Sequence, residues 1–230
     1  MLNLKYKLII EHVAHDLNSV VIKINLLNEI LHDKMKDNKD AEIKKVLSYI
    51  DTLCGQGIEI TKDLLDMREL ETSENNETER CSLNQLLEQQ TKIYRLQSLK
   101  KQVRFQFIDS GQQIFCNINR SKITRAIDNL FSNALKFTTS KGEIKISIDC
   151  RGKKAIVAIT DTGIGIPDNL KREIFKKYTK ASRYGTQNEI FTGLGLYITK
   201  KVVELHNGRI WFESEENIGT TFFIELRQVK

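Results

Sequence analysis

The nine residues DTGIGIPDN, from Asp161 to Asn169, hold two of the chain's twelve glycines and its one proline. They follow the alternating stretch KKAIVAIT, residues 153–160, which predicts a β-strand. Asp161 would then stand at the end of a strand, and Gly163 and Gly165 would follow it. Glycine permits positive φ and lets another group come close to the main chain. At this point the sequence fits either a binding loop or an ordinary structural loop.

A second informative stretch lies upstream, at residues 128–138, DNLFSNALKFT. It predicts a helix on which Asn129, Asn133 and Lys136 share one face, because residues three and four apart are neighbours. An amide oxygen is a hard ligand suited to Mg²⁺, and a lysine ammonium suits phosphate. Taken alone, the stretch predicts either a ligand-binding face or a solvated one.

A third stretch, FTGLGLYITKK at residues 191–201, puts Gly193 and Gly195 where a loop enters a helix. The free N–H groups and the dipole at a helix start attract anions. An unremarkable helix start has the same pattern, so the phosphate-site interpretation depends on the other two stretches.

The surrounding residues 81–230 predict a mixed α/β domain, with Ser82 suited to cap its first helix. Helices packed over one face of a sheet would make an α/β sandwich. The predicted strands are residues 103–108, 113–118, 142–150, 153–160, 208–214 and 220–226, and the predicted helices are residues 82–99, 121–138 and 192–206.

The amino-terminal part has a different composition, with no glycine or proline before Gly55. Residues 4–33 predict a helix whose apolar residues recur in alternating steps of four and three, the heptad pattern of a bundle or coiled coil. Residues 41–70 predict a second helix of similar length, and the polar residues 32–40 predict the turn between them. The heptad positions are Tyr6, Ile10, Val13, Leu17, Val20, Ile24, Leu27 and Leu31 on the first helix, and Ile43, Val46, Ile50, Leu53, Ile60, Leu64 and Met67 on the second.

Two such helices predict an antiparallel hairpin. A hairpin buries little on its own, and pairing with a second copy in a four-helix bundle would cover both apolar stripes. We therefore expect a homodimer. Residues 71–80, ETSENNETER, have almost no apolar content and predict a linker. The expected chain is an α+β protein of two domains, a helical hairpin at 1–70 and an α/β sandwich at 81–230.

The three stretches, in this order, resemble the ATP-binding domain of sensor histidine kinases. The shared pattern is Asn-x-x-x-Asn-Ala-x-Lys, then Asp-x-Gly-x-Gly, then Thr-Gly-Leu-Gly-Leu. The resemblance covers residues 81–230, and the same fold occurs in gyrase, a heat-shock chaperone ATPase and a mismatch-repair ATPase. It implies that the chain binds ATP together with Mg²⁺.

The resemblance also implies a role for each matching side chain. Asn133 would hold Mg²⁺, with support from Asn129. Lys136 would contact the phosphates. Asp161 would accept a hydrogen bond from the adenine amino group.

Backbone would form the rest of such a site. Gly163 and Gly165 would let the purine lie against the main chain. The family often has a further glycine where this chain has Phe191, so we expect a stiffer hinge in the loop beside the nucleotide. The resemblance puts the phosphate-binding loop at Thr192, Gly193, Leu194 and Gly195.

The fold leaves the reaction open. Relatives that hydrolyse ATP carry a glutamate one helical turn before the magnesium asparagine, and this chain has Asn129 there. A neutral amide cannot serve as a general base. This favours transfer to a protein nucleophile, although an ATP-hydrolysing module or a non-catalytic dimeric module of the same fold stays an alternative.

The candidate nucleophile is His15, on the outward face of the first helix in EHVAHDLNSVV. This stretch resembles the phosphoacceptor box of histidine kinases. Asp16 would act as a base, and Ser19, one turn further on, could position a water for phosphate removal. The family commonly has arginine at the position of Asn18 and proline at that of Val20, so the match is incomplete.

The other three histidines are weaker candidates. His12 is followed by Val13 rather than by an acid. His32 falls in the predicted turn, and His206 is expected to be structural.

The resemblance therefore implies a two-component kinase core. His15 would take the γ-phosphoryl group of ATP and pass it to an aspartate on the receiver domain of a response regulator. A sensor domain upstream of this chain would fit such a core.

The composition narrows the class of protein. The 230 residues carry a net charge of +6, spread among acidic residues, which indicates a solvated surface rather than a nucleic-acid-binding patch. No apolar run reaches about 18 residues, so no membrane contact is expected within the chain. The four cysteines lack metal-ligand spacing, which predicts free thiols in a cytoplasmic protein.

Overall fold

The computed structural model describes residues 2–35, 40–72, 77–177 and 193–229, and it describes the backbone alone for residues 2–16, 41, 71 and 72. The chain divides into two compact units. The first consists of two helices, and the second holds a sheet with its own helices. The predicted α+β class is confirmed.

The first unit contains helices α1 (Leu2–Lys34) and α2 (Ala41–Thr72). Residues later in α1 contact residues earlier in α2. Thr61 donates to Asn18, whereas the side-chain amide of Asn28 donates to the carbonyl of Leu47. The helices are therefore antiparallel, and the predicted hairpin is present.

The predicted turn begins too early. His32 and the two residues after it form the last turn of α1. A ring nitrogen of His32, Nε2, lies 2.9 Å from an oxygen of Asp51 on α2. That oxygen's carboxylate also accepts a 2.6 Å hydrogen bond from buried Asn28. His32 thus helps to hold the last turn of the helix by a contact across the hairpin, which its polarity alone does not reveal.

The heptad positions of the hairpin are not what joins its two helices. On α1, five of them are between 45% and 61% exposed, namely Leu17, Val20, Ile24, Leu27 and Leu31. On α2, Val46, Leu53 and Ile60 are also exposed. Within one chain, these side chains therefore face away from the helix–helix contact, whereas the other four heptad positions of α2 are half-buried.

The second unit is built on a seven-stranded sheet in the order β1-β3-β7-β5-β4-β2, with β6 beside β7. The β2–β4 pair is parallel and the other pairs are antiparallel. The strands are β1 (Glu79–Ser82), β2 (Arg104–Asp109), β3 (Phe115–Ile118), β4 (Glu143–Arg151), β5 (Lys154–Asp161), β6 (Arg209–Glu215) and β7 (Gly219–Val229).

Helices cover one face of this sheet. Alternate residues of β4, β5 and β7 are buried, as expected for strands with one covered face. Tyr94 and Phe131 stack with their ring centroids 3.9 Å apart in the helix layer. The helices are α3 (Leu83–Lys100), α4 (Arg120–Phe137), α5 (Asp168–Lys171) and α6 (Gly195–Leu205).

Side-chain caps fix where two of these helices begin. The hydroxyl of Ser82 accepts a hydrogen bond from the amide of Gln85, so the predicted cap of α3 is confirmed. The side chain of Asn119 caps α4 in the same way, by accepting from the amide of Lys122. Serine and asparagine are favoured at such positions because their oxygens satisfy free N–H groups.

The predicted linker at 71–80 is too long at both ends. Residues 71 and 72 complete α2, and β1 begins at Glu79. Cys81 pairs with Cys116 of β3. This pairing partner is remote in sequence, so the polar composition of the segment did not predict a strand.

Candidate functional site

The three glycine- and asparagine-bearing stretches meet in the second unit. The side-chain amide of Asn129, on α4, donates to the carbonyl of Gly195 at the start of α6, at 3.3 Å. The amide of Ile164, in the loop after β5, donates to the carbonyl of Phe137 at the end of α4, at 3.3 Å. Helix α4 thus contacts both glycine loops, and the predicted grouping of these motifs is observed.

Asp161 is the most informative residue of this group. It ends β5, an interior strand, and is 6% exposed. Its Oδ1 accepts a 2.8 Å hydrogen bond from the amide of Gly163. Burial raises the pKa of Asp161 to about 6, and backbone hydrogen bonds from Gly163 and Thr220 oppose that rise. At neutral pH the carboxylate is largely ionised despite its burial, a combination found most often at functional sites.

The glycines after Asp161 have a structural reason of their own. A Cβ on Gly163 would lie 2.5 Å from the carbonyl oxygen of Phe137. Gly165 has φ +63°, and a Cβ there would collide with the carbonyl of Glu215. The space around both glycines is thus taken by the protein's own backbone. Their contact with a purine stays a prediction.

Two hydrogen bonds hold this loop against the β6–β7 hairpin. The amide of Ile166 donates to the hydroxyl of Ser214, and the amide of Asn217 donates to the carbonyl of Ile164, each at 2.8 Å. With the contact to Phe137, they fix the loop on two sides. A rigid loop is suited to present one carboxylate in a constant position.

Asn133 and Lys136 lie half-buried on the same face of α4 as Asn129. The end of this helix is held by a residue that sequence reasoning missed. The ammonium of Lys101 donates to the carbonyls of Leu135 and Lys136, at 2.9 and 3.0 Å. A lysine near the last turn satisfies free carbonyls and the helix dipole. Helix-end lysines are common, and nothing in the sequence pointed to this one.

The start of α6 has the features of an anion site. The helix begins at Gly195, three residues later than predicted, and Gly193 just before it has φ +68°. Among the described residues, no side chain caps this helix, so its first N–H groups stay available. The side chain of Leu194 is buried. Thr192 and Phe191 lie outside the described residues.

The candidate phosphoacceptor segment belongs to α1. The helix runs without a break through His15, Asp16 and Ser19, as expected without a proline at position 20. Ser19 is half-buried, and the side chains of His15 and Asp16 lie outside the described residues.

His206 joins the two helices of the site at their far ends. Its Nε2 accepts a hydrogen bond from the amide of Asn119 at 2.9 Å, so its Nδ1 carries the hydrogen that is donated to the carbonyl of Val202 at 2.7 Å. Burial lowers the pKa of His206. The ring is therefore neutral, and its two hydrogen bonds link α6 to the start of α4, in agreement with its expected structural role.

This arrangement suits a ligand with an amino-bearing ring at one end and phosphate at the other. Asp161 offers a buried acceptor, and the start of α6 offers uncapped donors. Asn129, Asn133 and Lys136 line the helix between them. In the described residues, no helix is both long and apolar enough to cross a membrane.

Comparisons with known proteins show what the chain is similar to. Residues 118–230 match the family model described as histidine kinase-, DNA gyrase B- and HSP90-like ATPase. The chain is 30% identical to the sensor protein kinase WalK of Staphylococcus epidermidis in an alignment of 222 residues that covers 94% of this chain. It spans 36% of the length of that relative.

Solved structures extend the agreement. A structure of histidine kinase ThkA in complex with response regulator protein TrrA matches 95% of this chain and 60% of that one, with 26% identity and a TM-score of 0.62. The catalytic domain of ThkA matches 66% of this chain with a TM-score of 0.58. This chain covers 96% of that domain at 30% identity. The chain therefore belongs to the histidine kinase family.

Proposed function

We propose that the chain is the catalytic core of a protein histidine kinase, which phosphorylates His15 from ATP and passes the phosphoryl group to an aspartate of a response regulator. The observation that carries the proposal is the grouping of buried Asp161, the Asn129–Asn133–Lys136 face and the uncapped start of α6. Family membership gives the reaction class. The chain spans about a third of the length of the curated relative WalK, so the activity is proposed for this core alone.

The nucleotide would lie between these three elements. Asp161 would accept from the adenine amino group, and the N–H groups at the start of α6 would hold phosphate oxygens. Asn133 offers an amide oxygen on the face between them, which fits Mg²⁺. When bound, the cation would neutralise charge on the transferred phosphoryl group. Lys136 would hold phosphate from the same helix face.

His15 would act as the nucleophile. An unprotonated imidazole nitrogen attacks the γ-phosphorus, the bond to the bridging oxygen breaks, and ADP leaves. Asp16 is proposed to take up the proton. Ser19, on the next turn of the helix, is proposed to orient water when the phosphoryl group is removed.

A second copy of the chain would cover the exposed heptad seam. Leu17, Leu27 and Leu31 lie on that seam and are each about half exposed or more. Leaving so many large apolar side chains in water is unfavourable, at about 25 cal/mol per Å² of apolar surface. A homodimer with a four-helix bundle would bury them, and this supports a dimeric kinase.

A second exposed stripe supports a response regulator as partner. At 100° per residue, position 15 shares a helical face with Ile22, Leu26 and Ile30. These three side chains are between 42% and 53% exposed and lie apart from the heptad seam. A partner that binds this stripe would be close to the phosphorylated position. The related kinase ThkA forms a complex with a response regulator.

The competing activity, steady hydrolysis of ATP, would need a general base at position 129, where this chain has an amide. Asn129 occupies the position where hydrolysing relatives carry glutamate, and its amide is engaged with Gly195. A neutral amide in a structural hydrogen bond cannot activate water.

The four cysteine thiols are free, which supports a reducing, cytoplasmic setting for the core.

Labelling with γ-³²P-ATP tests the proposal. The wild-type chain is expected to acquire a label that is lost in acid and stable in base, as a phosphoimidazole is. His15→Ala should abolish the label and keep ATP affinity, whereas His12→Ala should retain both. A labelled His15→Ala protein would refute the assignment. Phosphate release without any labelled protein would favour the hydrolase, and absence of nucleotide binding would favour the non-catalytic module.

A further inference from the structure

A groove of about 940 Å³ opens in the second unit, at the end of the sheet away from Asp161. It lies at the β4–β5 turn and at the ends of β7 and α6. Strand β5 runs from this turn to Asp161, and at about 3.3 Å per residue it separates the two places by about 23 Å. The groove is therefore separate from the proposed nucleotide site. Its volume is within the range of about 300–1,000 Å³ that small-molecule sites occupy.

The floor of the groove is apolar. Ile118 and Leu226 are buried, and Leu205 is half-buried beside them. His206 also lines the groove, but both of its ring nitrogens are engaged in hydrogen bonds. The wall that His206 provides is therefore a neutral one.

The rim of the groove is cationic. Lys153 and Arg227 are exposed and line it from two adjacent strand ends. Neither forms an ion pair with any residue that the structure describes, and no acidic side chain is among the described residues around the groove. Two uncompensated cations over an apolar floor attract a ligand of the opposite charge.

Uncharged donors complete the lining. Asn117 contributes an amide, and the side-chain oxygen of Gln228 accepts from the thiol of Cys150 at 2.8 Å. That bond uses the acceptor of Gln228 and leaves its NH₂ group as a donor. Amide donors next to lysine and arginine favour the oxygens of a carboxylate, sulfonate or phosphate group.

We propose that this groove is a second binding site, which takes a small organic anion with an apolar body. The apolar part lies on Ile118 and Leu226, and the anionic group meets Lys153 and Arg227. The volume of the groove fits a compact molecule. The site does not depend on the proposed kinase reaction.

The probe 8-anilinonaphthalene-1-sulfonate has this chemistry, and N-phenyl-1-naphthylamine is its counterpart without the sulfonate. Each is titrated into the 230-residue chain while amide signals are followed by two-dimensional NMR. We expect saturable shifts at Gly152 and Gln228 with the sulfonate, and binding about tenfold weaker with the neutral probe, as the loss of charge-assisted hydrogen bonds implies.

Variants decide whether the charges matter. The double variant Lys153→Glu/Arg227→Glu should weaken sulfonate binding by about tenfold or more. The double variant Lys92→Glu/Arg95→Glu, an equal charge change at exposed positions of α3, should leave it within about twofold. The proposal is overturned if no saturable shifts occur, if both variants behave alike, if the neutral probe binds equally, or if ATP with Mg²⁺ displaces the sulfonate.

Discussion

Replacing Asp161 with asparagine should stabilise the protein at neutral pH while impairing its nucleotide site. The side chain is 6% exposed, and burial raises its pKa from 3.8 to about 6. The folded state therefore prefers the neutral carboxylic acid. A group with a raised pKa contributes stability that is complete below pH 3.8 and is lost as the pH rises through about 6. An asparagine of the same shape never carries that charge.

The size of the effect follows from the shift. Two pKa units correspond to about 3 kcal/mol when the whole titration is crossed. Between pH 4.5 and 7.5, part of that range is covered, and the stability of Asp161→Asn relative to wild type should rise by about 2 kcal/mol. Comparing two pH values removes any constant cost of the amide in the bond with Gly163. Urea unfolding at both pH values measures this difference.

Asp168→Asn is the matched control, since its carboxylate is exposed at the start of α5 and the hydrogen bond with Lys171 lowers the pKa of Asp168. It should not reproduce the rise. If the stability of Asp161→Asn relative to wild type is the same at pH 4.5 and 7.5, the raised pKa is wrong.

The same variant tests the proposed contact with adenine. An ionised acceptor in a hydrogen bond contributes about 1.5–3 kcal/mol, so ATP affinity should fall by about 10- to 100-fold at pH 7.5. Guanine carries a carbonyl where adenine carries its amino group, and the new amide can donate to it. The preference for ATP over GTP should therefore shrink. Unchanged affinity for both nucleotides would remove Asp161 from the site.

Three further changes have expected outcomes. Gly163→Ala should lower the free energy of unfolding by about 1–3 kcal/mol because its Cβ would clash with backbone. Gly55→Ala, in open space on α2, should raise that free energy by about 1 kcal/mol. Urea unfolding measures both changes. His206→Gln should remove a stabilising contribution that is present above pH 6.5 and is lost as the pH falls through the lowered pKa, so the loss of thermal stability should be larger at pH 7.5 than at pH 5. Leu27→Asp, on the exposed heptad seam, should give a monomer in light scattering, whereas Leu96→Asp on exposed α3 should not.

The helices and most strands of this chain could be predicted because their periodicity is local. The sheet order could not, since it joins residues far apart in sequence. β1 is the clearest case: its pairing of Cys81 with Cys116 makes a strand of residues whose composition is that of a linker. The parallel pairing of β2 with β4 likewise has no local signature.

The hairpin gives a second example. The heptad pattern correctly indicated two long helices, but the buried side chains of the hairpin include polar Asn28 and Thr61 together with Leu47 and Cys54, which all lie outside that pattern. Polar residues leave no trace in an apolar pattern. The pattern therefore described the surface that the hairpin presents outward rather than the one that joins its helices.

The candidate site shows the same division between motif and support. Its motif residues could be predicted from the sequence because their chemistry is unusual for their positions, as with the carboxylate of Asp161 at the end of a strand. The hydrogen bonds that hold these residues in place could not be predicted. Asn129 bonds to Gly195, 66 residues away, and His206 bonds to Asn119, 87 residues away. These two contacts hold both ends of α6 against α4, one at the cap of α4 and one at its middle. A helix held at both ends keeps its start in register with Asn133, so a ligand that spans the two helices meets a preformed site and loses less entropy on binding.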